Sequence, residues 1–385
     1  MVRVLLPSET VPEFAPTQLR RGDVAVLRYA DAVAVLRDPA FGKPPIPRMP
    51  IRSTRILLDM FLALDPPDHT RLRGVVAPLF APAVVAEYRA ALEDLADGIL
   101  TTAPQPFDVV TDLAYPLPFA FICRLVGARR EDWQQLSDWT HTLTAMLDEP
   151  MPLRLIDAVP WLRSIALRRV RPLTALRAGK GIVDYAQERI DAADAPVVAR
   201  LREAVASREL SHDEAISTWL LLFTAGHETT ANLIASTVYA LATHPEELAK
   251  VLADRSLLAS AIDETLRWDP PIPMNARTAK ADTTVGGKAV KRGAAAFLSV
   301  THANRDQDIV DRGDEFRVGR APAPPHLAFG LGLHFCLGAF LARLEAEVAL
   351  NRLLDRAPHL IINGPVLRRS TFLVSGYDAL PLRLD

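Results

Sequence analysis

Cysteine is almost absent from the sequence, which has two such residues among 385, Cys123 and Cys336. They lie far apart and form no Cys-x-x-Cys pair, so the sequence predicts neither a disulfide framework nor a zinc site. Two unpaired cysteines are typical of a reducing compartment. We therefore expect a cytoplasmic protein.

Long hydrophobic runs and an excess of one charge are also missing. Pro7, Glu9, Pro12 and Glu13 interrupt the N-terminal apolar residues before these reach the length of a signal peptide or a membrane span, so we expect no membrane anchor. The 44 Lys and Arg residues nearly balance the 46 Asp and Glu residues, for a net charge of -2. Without a broad basic field, nucleic acid is not an expected partner.

The composition is that of an ordinary packed protein, with 49% hydrophobic and 23% charged residues. Apolar residues recur at helical spacing from about Asp68 to Ala242. Strand patterns are confined to Thr283–Leu298, around a Gly286-Gly287 turn, and to Ser370–Leu384, around Gly376. The pattern predicts a mainly α fold with small β-sheets, of the α+β class. Two proline-rich stretches read as loops, Gly42–Pro50 and Arg320–Pro325.

The stretch from Ser211 to Thr243 predicts one long helix. Ser211 and Glu214 form a possible capping box at its start, and His244-Pro245 ends it. At 1.5 Å rise per residue the helix would be roughly 45 to 50 Å long and would cross the molecule. Its Trp219–Phe223 stretch is apolar on every side, which indicates burial. Because burial of polar residues is costly, we expect those that follow directly to have a function.

Cys336 lies in the segment Phe329-Gly-Leu-Gly-Leu-His-Phe-Cys-Leu-Gly338, directly before an amphipathic helix predicted over Ala339–Leu354. The helix start would lower the pKa of the thiol and favour the thiolate, the form that binds metal. The three glycines of the segment, Gly330, Gly332 and Gly338, would let the backbone bend and approach a flat cofactor. The alternative is a buried structural cysteine.

This segment resembles the haem-binding signature of the cytochrome P450 family, with Phe, two Gly, a basic residue, Cys and Gly in the expected places. The resemblance implies haem b, iron protoporphyrin IX, with Cys336 as the thiolate ligand of the iron. A thiolate ligand favours O–O cleavage. A dinucleotide-binding loop is a poor alternative, because Phe335 stands where the GxGxxG pattern requires its third glycine.

Three further segments resemble family motifs. Within the predicted helix Leu257–Trp268, closed by Pro270-Pro271, Glu264 and Arg267 match a structural pair of the family, although alone they would read as a surface salt bridge. The resemblance assigns haem-propionate contacts, which need charge-assisted hydrogen bonds. The expected contacts are His69 and Arg73, four residues apart in Asp65-Pro-Pro-Asp-His-Thr-Arg-Leu-Arg73, then Arg277 in Met274-Asn-Ala-Arg277, and His334.

The middle of the long helix, Ala225-Gly-His-Glu-Thr-Thr230, resembles the oxygen-activation motif of the family. Reduction of dioxygen needs protons while bulk water stays out. Thr229 is expected to hydrogen-bond the oxygen and Glu228 to relay protons to it, with space left by Ala225 and Gly226. The alternative is that Thr229 bonds to its own helix and that Glu228 pairs with a surface arginine. We assign structural roles to the remaining matched or isolated polar residues, His227, His326, Asn304-Arg305-Asp306 and Cys123.

The resemblance covers nearly the whole chain and implies a single cytochrome P450 domain over residues 1–385. The expected shape is a triangular prism with haem between the long central helix and the Cys336 loop and its following helix. The implied reaction is insertion of one oxygen atom from O2 into an apolar small molecule, by hydroxylation or epoxidation. Electrons would come from a separate ferredoxin and ferredoxin reductase, docked on a locally basic face over Cys336 that could include Arg343.

Substrate contacts follow from the resemblance alone, and most of them are apolar. The expected residues are Leu221, Thr224, Ala225, Pro273, Asn275, Leu373 and Val374. The loop Pro44–Leu64 and the helices between His141 and Ile190 would form the entrance and lid. Terpenoid, polyketide, steroid and fatty acyl substrates, common in secondary metabolism, all stay open.

Two alternatives to a monooxygenase are kept. The first is a haem-thiolate enzyme of another kind, catalysing peroxygenation, aromatic coupling or dehydration; Glu228 and Thr229 argue against the peroxide-driven type only. The second is a non-enzymatic haem protein that senses or carries a ligand, which would leave the acid and alcohol pair unexplained.

Overall fold

The computed structural model describes residues 22–44, 50–148, 172–320, 325–369 and 374–384. These residues are mostly helical, as the sequence predicts. The helices are Tyr29–Arg37, Arg52–Leu58, Asp68–Val76, Pro82–Glu87, Arg89–Thr101, Pro116–Leu125, Trp133–Asp148, Pro172–Ala192, Pro196–Ala206, His212–Ala225, Glu228–Thr243, Pro245–Ala253, Leu258–Trp268, Val300–Asn304 and Ala339–Arg356. Single turns of 3-10 helix and one π-helical turn, Val110–Ala114, lie between them.

The strands form one sheet of four and three pairs of strands. In the four-stranded sheet Val24–Val26 runs parallel to Ala295–Ser299, which pairs antiparallel with Met274–Ala279, and Phe41–Gly42 pairs antiparallel with the far side of Met274–Ala279. The three pairs are Thr283–Val285 with Lys288–Val290, Pro381–Leu382 with Phe107–Asp108, and Leu367–Arg369 with Gly376–Ala379. We refer to the last pair as the C-terminal hairpin.

Both stretches predicted to carry strands do so. Gly286 and Gly287 have φ values of 53° and 76°, which is the positive pair that a tight two-residue hairpin turn requires. Strand character is wider than predicted, however. Met274–Ala279 lies at the centre of the four-stranded sheet, and its short polar sequence Met-Asn-Ala-Arg-Thr-Ala carries no apolar alternation by which to find it.

The long central helix is two helices, so the prediction of one continuous element is wrong. His212–Ala225 begins with the predicted capping box, in which the Glu214 N–H donates to the Ser211 hydroxyl and the Ser211 N–H to the Glu214 carboxylate. It ends at Gly226, and Glu228–Thr243 follows and ends before Pro245 as expected. We call these two elements the central helix pair.

Side chains at the break take over bonds that backbone N–H groups make in a regular helix. The carbonyl of Phe223 lies 2.8 Å from Nδ1 of His227, and the carbonyl of Ala225 accepts from the Thr229 hydroxyl at 3.1 Å. In an uninterrupted helix these carbonyls would accept from the N–H groups of the same two residues. Such side-chain competition bends or breaks helices, and an apolar periodicity that continues through the break cannot reveal it.

Two groups of buried apolar residues hold the fold together. The larger includes most of the central helix pair; its second helix packs against Leu258–Trp268, Ala339–Arg356 and the turn Val110–Ala114. The smaller lies between the four-stranded sheet and the Tyr29–Arg37 helix and includes Leu327, two residues before the Cys336 segment. The Cys336 segment therefore lies where the two groups meet.

Other element predictions have mixed outcomes. Pro44–Leu64, expected to be a loop, contains the helix Arg52–Leu58 and a 3-10 turn over Phe61–Ala63. Its residues 45–49, the lid residues 149–171, and the loop residues 321–324 lie outside the described part of the chain. Within the described part no single helix has the length and apolar character to cross a membrane, although the bent pair Asp68–Glu87 and Arg89–Thr101 together meets both criteria.

Candidate active site

The segment around Cys336 is a tight loop that ends at a helix. Gly330 and Gly332 have φ values of 68° and 70°, and the Cys336 N–H donates to the Phe329 carbonyl at 2.8 Å. A side chain at Gly332 would bring its Cβ to 3.0 Å from the Leu36 carbonyl oxygen, so both the conformation and the space call for glycine. Gly338 differs from the expectation: its φ of -86° is ordinary, and it serves as the N-cap of Ala339–Arg356.

The Cys336 sulfur accepts a hydrogen bond from the backbone N–H of Gly338. This bond and the positive charges of Arg73 and Arg343 favour the thiolate, as predicted from the helix start. Burial acts in the opposite direction and outweighs them, so the pKa of the thiol is raised. The expected net lowering is therefore wrong for the protein alone, because desolvation of the sulfur is the largest effect.

The four predicted propionate contacts lie in one group, together with a residue that the sequence did not point to, Lys43. Burial lowers the pKa of His334 to about 3, with Lys43, His69, Arg277 and Arg73 adding to the effect in that order. The ring of His334 packs against that of His69 at 4.3 Å between centroids. We call this set the cationic cluster; its members are Lys43, His69, Arg73, Arg277 and His334.

Lys43 belongs to the cluster through the chain's fold. Burial and the nearby Arg277 lower the pKa of Lys43 to about 8, and Asp65 opposes this. Asp65 also accepts from the Lys43 backbone N–H, and a side chain at Gly42 would put its Cβ 2.1 Å from an Asp65 oxygen. A strand end brings Lys43 to the helix of His69, and nothing in its local sequence marks it as a site residue.

The cationic cluster has more positive charge than its own surroundings neutralise. In the described part of the chain Asp65 is the carboxylate that acts on it, and it is shared with Lys280 at 3.5 Å. The buried imidazole of His69 has no hydrogen-bond partner at either nitrogen among the described residues. Arg277 folds back on its own strand, donating to the Asn275 side chain at 2.6 Å and the Ala276 carbonyl at 2.8 Å. Buried donors arranged in this way favour an anionic group.

The break in the central helix pair opens a strip of accessible surface in otherwise buried helices. Ala225 is exposed and Thr224, Gly226 and Thr229 are half-buried, whereas the residues before and after them are buried. The Thr229 hydroxyl donates to Ala225, and the Glu228 carboxylate accepts from Arg369 at 2.5 Å. Both contacts are those expected if the side chains serve only structure, so their roles in proton transfer stay predictions.

The other predicted substrate contacts are placed as follows. Leu221 and Val374 are buried, and Pro273 is buried with its carbonyl accepting from the Val300 N–H at 2.8 Å. Asn275 is half-buried and orients Arg277. Leu373 lies outside the described residues.

Glu264 and Arg267 form a buried pair, which confirms the structural reading and overturns the surface alternative. Two parallel bonds of 2.8 Å join the guanidinium to the carboxylate, and both side chains are about 5% exposed. The guanidinium also donates to the carbonyls of Asn304, Gly313 and Glu315. The pair therefore ties a distant loop to the helix.

The residues left without a chemical task have packing contacts. The Asn304 side chain accepts from the Leu327 N–H at 2.7 Å, and Asp306 accepts from the Tyr29 N–H at 2.8 Å. Cys123 is fully buried, and burial raises the pKa of its thiol. His227 is buried against three aromatic rings, Tyr115, Phe119 and Phe223.

Arg343, which was expected to contribute to a basic docking face over Cys336, is held by contacts within the protein. Its guanidinium donates to Asp263 at 2.7 Å and lies over the Phe329 ring at 4.6 Å. Three large apolar side chains are exposed around Cys336 instead: Leu333, Phe335 and Phe340.

A model of the cytochrome P450 family matches residues 24–363 of the chain. The chain belongs to the cytochrome P450 family. It is 32% identical to the biotin biosynthesis cytochrome P450 of Bacillus subtilis strain 168, over 87% of this chain and 83% of that one. It is likewise 32% identical to the erythromycin C-12 hydroxylase of Saccharopolyspora erythraea, over 95% and 90% of the two chains.

A solved structure has the same fold. The crystal structure of P450BioI, in complex with an acyl carrier protein ligated to hexadec-9Z-enoic acid, superposes with a TM-score of 0.82. The two proteins are 29% identical, and the match covers 94% of this chain and 92% of that one. The expected P450 fold is thereby confirmed. This P450 is a monooxygenase of the bacterial type, and the non-enzymatic alternative is dropped.

Cytochrome P450 proteins bind haem b, and the described residues fit it. Neither ring nitrogen of the buried His69 has a partner among the described residues, and the cationic cluster around it would supply donors for the haem propionates. Cys336 supplies a soft sulfur ligand. No group of three or more His, Cys, Asp or Glu side chains in the described ranges could hold a metal ion.

Proposed function

We propose that this P450 inserts one oxygen atom from O2 into an apolar small molecule, by hydroxylation or epoxidation, with Cys336 as the iron ligand. The observation that carries the proposal is the Cys336 loop, whose sulfur accepts the Gly338 N–H beside an unneutralised cationic cluster. A haem held by a thiolate supplies electron density that favours O–O cleavage. His69, Arg73, Arg277 and His334 would hold its propionates.

The exposed strip of the central helix pair is the proposed place of proton delivery. The Thr229 hydroxyl donates its one hydrogen to the Ala225 carbonyl; with haem bound it would turn this hydrogen toward the oxygen and accept a replacement proton with its lone pairs. Glu228 takes a proton from solvent and hands it toward Thr229. The surrounding helices keep bulk water out, so the reduced oxygen is not lost as peroxide.

The proposed substrate is an apolar secondary metabolite or acyl chain. Leu221, Ala225, Pro273 and Val374 offer apolar contacts, and Thr224 and Asn275 offer polar ones that could set its orientation. The relatives agree with this class: one is a hydroxylase of erythromycin and one was crystallised with a hexadecenoyl carrier protein.

Electrons are proposed to come from a ferredoxin and its reductase, in a cytoplasm where both free cysteines stay reduced. The donor would dock over the Cys336 loop, where Leu333, Phe335 and Phe340 are exposed. We also propose that residues 1–385 fold as one unit, since the larger apolar core joins residues from Ile56 to Leu382.

The test of iron ligation is the difference spectrum of the reduced protein with and without carbon monoxide. A strongly red-shifted Soret band is expected for the wild type and for Cys123→Ala, and its loss is expected for Cys336→Ser. A red-shifted band that survives in Cys336→Ser would overturn the assignment, because Cys123 is the only other thiol in the sequence.

The test of the reaction uses 18O2 and a ferredoxin and reductase pair, with a panel of polyketide, steroid and fatty acyl compounds. A product heavier by one 18O atom, formed only with the reducing system, supports monooxygenation. Product formed from hydrogen peroxide alone, or by coupling or dehydration without added oxygen, would instead favour the other haem-thiolate enzymes.

A further inference from the structure

The C-terminal hairpin lies along one face of the second helix of the central helix pair. Asn232, Ser236 and Tyr239 follow one another on that helix at spacings of four and three residues, which places them on the same face. Tyr239 packs against Tyr377 of the hairpin, with 5.0 Å between the ring centroids. Asn232 lies against Gly376, the residue before Tyr377. Going back along the strand from Tyr377 to Gly376, the contact on the helix therefore moves toward the helix break.

A buried ion pair holds both strands of the hairpin in place. The Arg368 guanidinium donates to the two oxygens of Asp269, at 2.6 Å and 3.1 Å, and Asp269 also accepts from the Ser236 hydroxyl at 3.2 Å. The same guanidinium donates to the Tyr377 hydroxyl at 3.1 Å and to the Ser375 hydroxyl at 2.8 Å. Because these bonds are charge-assisted, they fix the hairpin firmly on the helix face.

The far end of the hairpin leads to the predicted substrate contacts. Val374 precedes Gly376 by two residues, which span roughly 6 to 7 Å of strand, about the length of four helical residues. The strand therefore carries Val374 past Asn232 toward the exposed strip at the helix break. Between them the Ser375 N–H donates to the Pro271 carbonyl at 2.8 Å, so Val374 also lies beside the segment that leads to the predicted contact at Pro273.

The contact between Gly376 and Asn232 has no spare room. A Cβ at Gly376 would come 1.9 Å from Oδ1, 2.3 Å from Cγ and 2.9 Å from Nδ2 of Asn232, all closer than unbonded atoms can approach. Asn232 is buried, and its Nδ2 has no hydrogen-bond partner among the described residues. An unpaired buried amide costs stability, so hydrogen bonding by Nδ2 does not explain this side chain. Its bulk, matched to a glycine, keeps the hairpin at a fixed distance from the helix.

We propose that Gly376 and Asn232 are positioning residues that set the width of the substrate pocket between the hairpin and the central helix pair. The inference rests on the proposed function, in which Val374 on the hairpin and Ala225 on the helix contact the substrate. Neither Gly376 nor Asn232 touches the substrate itself. A larger residue at position 376 moves the hairpin outward and favours broader ligands, whereas a smaller residue at position 232 lets the hairpin approach and favours narrower ones.

The test is the ligand selectivity of the ferric, haem-loaded protein, and it requires neither turnover nor a known substrate. Imidazole, 4-phenylimidazole and 4-biphenylylimidazole bind iron through a ring nitrogen, and the shift of the Soret band during titration gives each Kd. Gly376→Ala should lower the Kd of the biphenylyl compound relative to that of imidazole by about tenfold, the effect of one methylene in an apolar pocket. Asn232→Ala should raise this ratio by a smaller factor, since the structure closes only part of the space left.

Matched variants separate this effect from a general loss of stability. The double change Gly376→Ala with Asn232→Ala should return the ratio to the wild-type value, because the added methyl group then has room. Asn232→Leu keeps the bulk of the side chain and should leave the ratio unchanged. Gly127→Ala adds a methyl group 2.7 Å from the Cβ of Ala193, away from the hairpin, so it should cost stability without changing the ratio. If Gly376→Ala folds poorly, Asn232→Ala and the double variant still test the proposal.

Val374→Ala distinguishes failure of this inference from failure of the proposed function. If the ratio of Kd values changes in Val374→Ala but in neither Gly376→Ala nor Asn232→Ala, the pocket is where we propose it and the positioning role is wrong. An equal change of the ratio in Gly127→Ala would also overturn the positioning role. If no imidazole shifts the Soret band of the wild type, the proposed haem-thiolate function fails, and the inference fails with it.

Discussion

Thr229 illustrates how one side chain can serve both helix structure and chemistry. Its hydroxyl donates to the Ala225 carbonyl at the helix break, and the residue is half-buried in the exposed strip. If the bond to Ala225 were its whole role, any side chain that tolerates the break could replace threonine. If the residue also takes part in oxygen reduction, a hydroxyl group is required.

We expect Thr229→Ala to keep reductant consumption but to release hydrogen peroxide, with product per O2 falling by about tenfold or more, as for loss of a proton-transfer group. Thr229→Ser, which keeps the hydroxyl, should recover most of the coupling. Peroxide and product are measured together in the ferredoxin-supported reaction. Equal coupling in the wild type and Thr229→Ala would show that the hydroxyl serves the helix only.

Glu345 is a fully buried acid in the helix that follows the Cys336 loop. Burial raises its pKa well above the usual value, and the nearby Thr230 hydroxyl opposes this only in part. The folded state therefore keeps a proton that the unfolded chain loses above about pH 4.5. Stability is highest below that pH and falls as the pH rises toward the folded pKa.

Glu345→Gln should remove this pH dependence, because the amide does not ionise. Relative to the wild type, the free energy of unfolding of the variant should rise between pH 5 and pH 8, by up to about 1.4 kcal/mol per pH unit. Urea unfolding of both proteins across this range measures the difference. Glu347→Gln on the same helix is the control, and a constant difference across the range would show that Glu345 is ionised in the fold.

Lys43 is the member of the cationic cluster that lies in none of the sequence segments that resemble family motifs. If it contacts a propionate, Lys43→Met should speed the transfer of haem to an acceptor such as apomyoglobin by about tenfold, the equivalent of one charge-assisted hydrogen bond. Lys280→Met is the control, because it removes a nearby lysine that also pairs with Asp65. Equal transfer rates for the two variants would place Lys43 outside the haem contacts.

At the scale of elements, the break in the central helix pair decides the shape of the site. Without it, the Phe223 and Ala225 carbonyls would be taken by backbone N–H groups and the exposed strip would close. Gly226 allows the break, because a Cβ there would lie 2.6 Å from the Leu222 carbonyl oxygen.

Gly226→Ala should therefore destabilise the protein by about 1–3 kcal/mol, since the methyl group meets rigid backbone. Gly98 lies within the helix Arg89–Thr101 with open space around it, so Gly98→Ala should stabilise by about 0.5–1 kcal/mol through helix propensity. Denaturant unfolding of the two variants measures whether each change in the free energy of unfolding is a loss or a gain. Stabilisation by both substitutions would mean that the break does not depend on glycine.

At the scale of the whole molecule, the Glu264–Arg267 pair connects segments that are distant in sequence. Glu264 also accepts from the Arg317 backbone N–H at 2.9 Å and from the Arg320 side chain at 3.2 Å. Removal of one partner leaves a buried charge and several carbonyls without a donor, which is costly.

We expect Arg267→Met to reduce the free energy of unfolding by about 3–5 kcal/mol, and the double change Glu264→Leu with Arg267→Met to cost less than Arg267→Met alone. Arg89→Ala, which breaks surface pairs, should change it by about 1 kcal/mol or less. Urea unfolding of the four proteins provides the comparison. A cost near that of Arg89→Ala would mean that the network is a minor part of the fold.

Sequence alone determined the family and the helical character, and it predicted the site residues that the structure brings together. The Cys336 loop, the capping box at Ser211 and the Gly286-Gly287 turn are local patterns, because glycine conformations and helix ends depend on a few neighbouring residues. The structure places the predicted propionate residues together, and the Glu264–Arg267 pair has the buried role assigned to it.

Tertiary structure decided what depends on contacts between distant segments. Lys43 joined the cationic cluster because a strand end lies beside Asp65, and Arg369 met Glu228 because the C-terminal hairpin packs on Asn232. The central helix is interrupted because the side chains of His227 and Thr229 bond to its carbonyls, and an apolar pattern does not encode such bonds. Burial raised the Cys336 pKa against the helix start, since desolvation depends on everything that surrounds the sulfur and not on its neighbours in sequence.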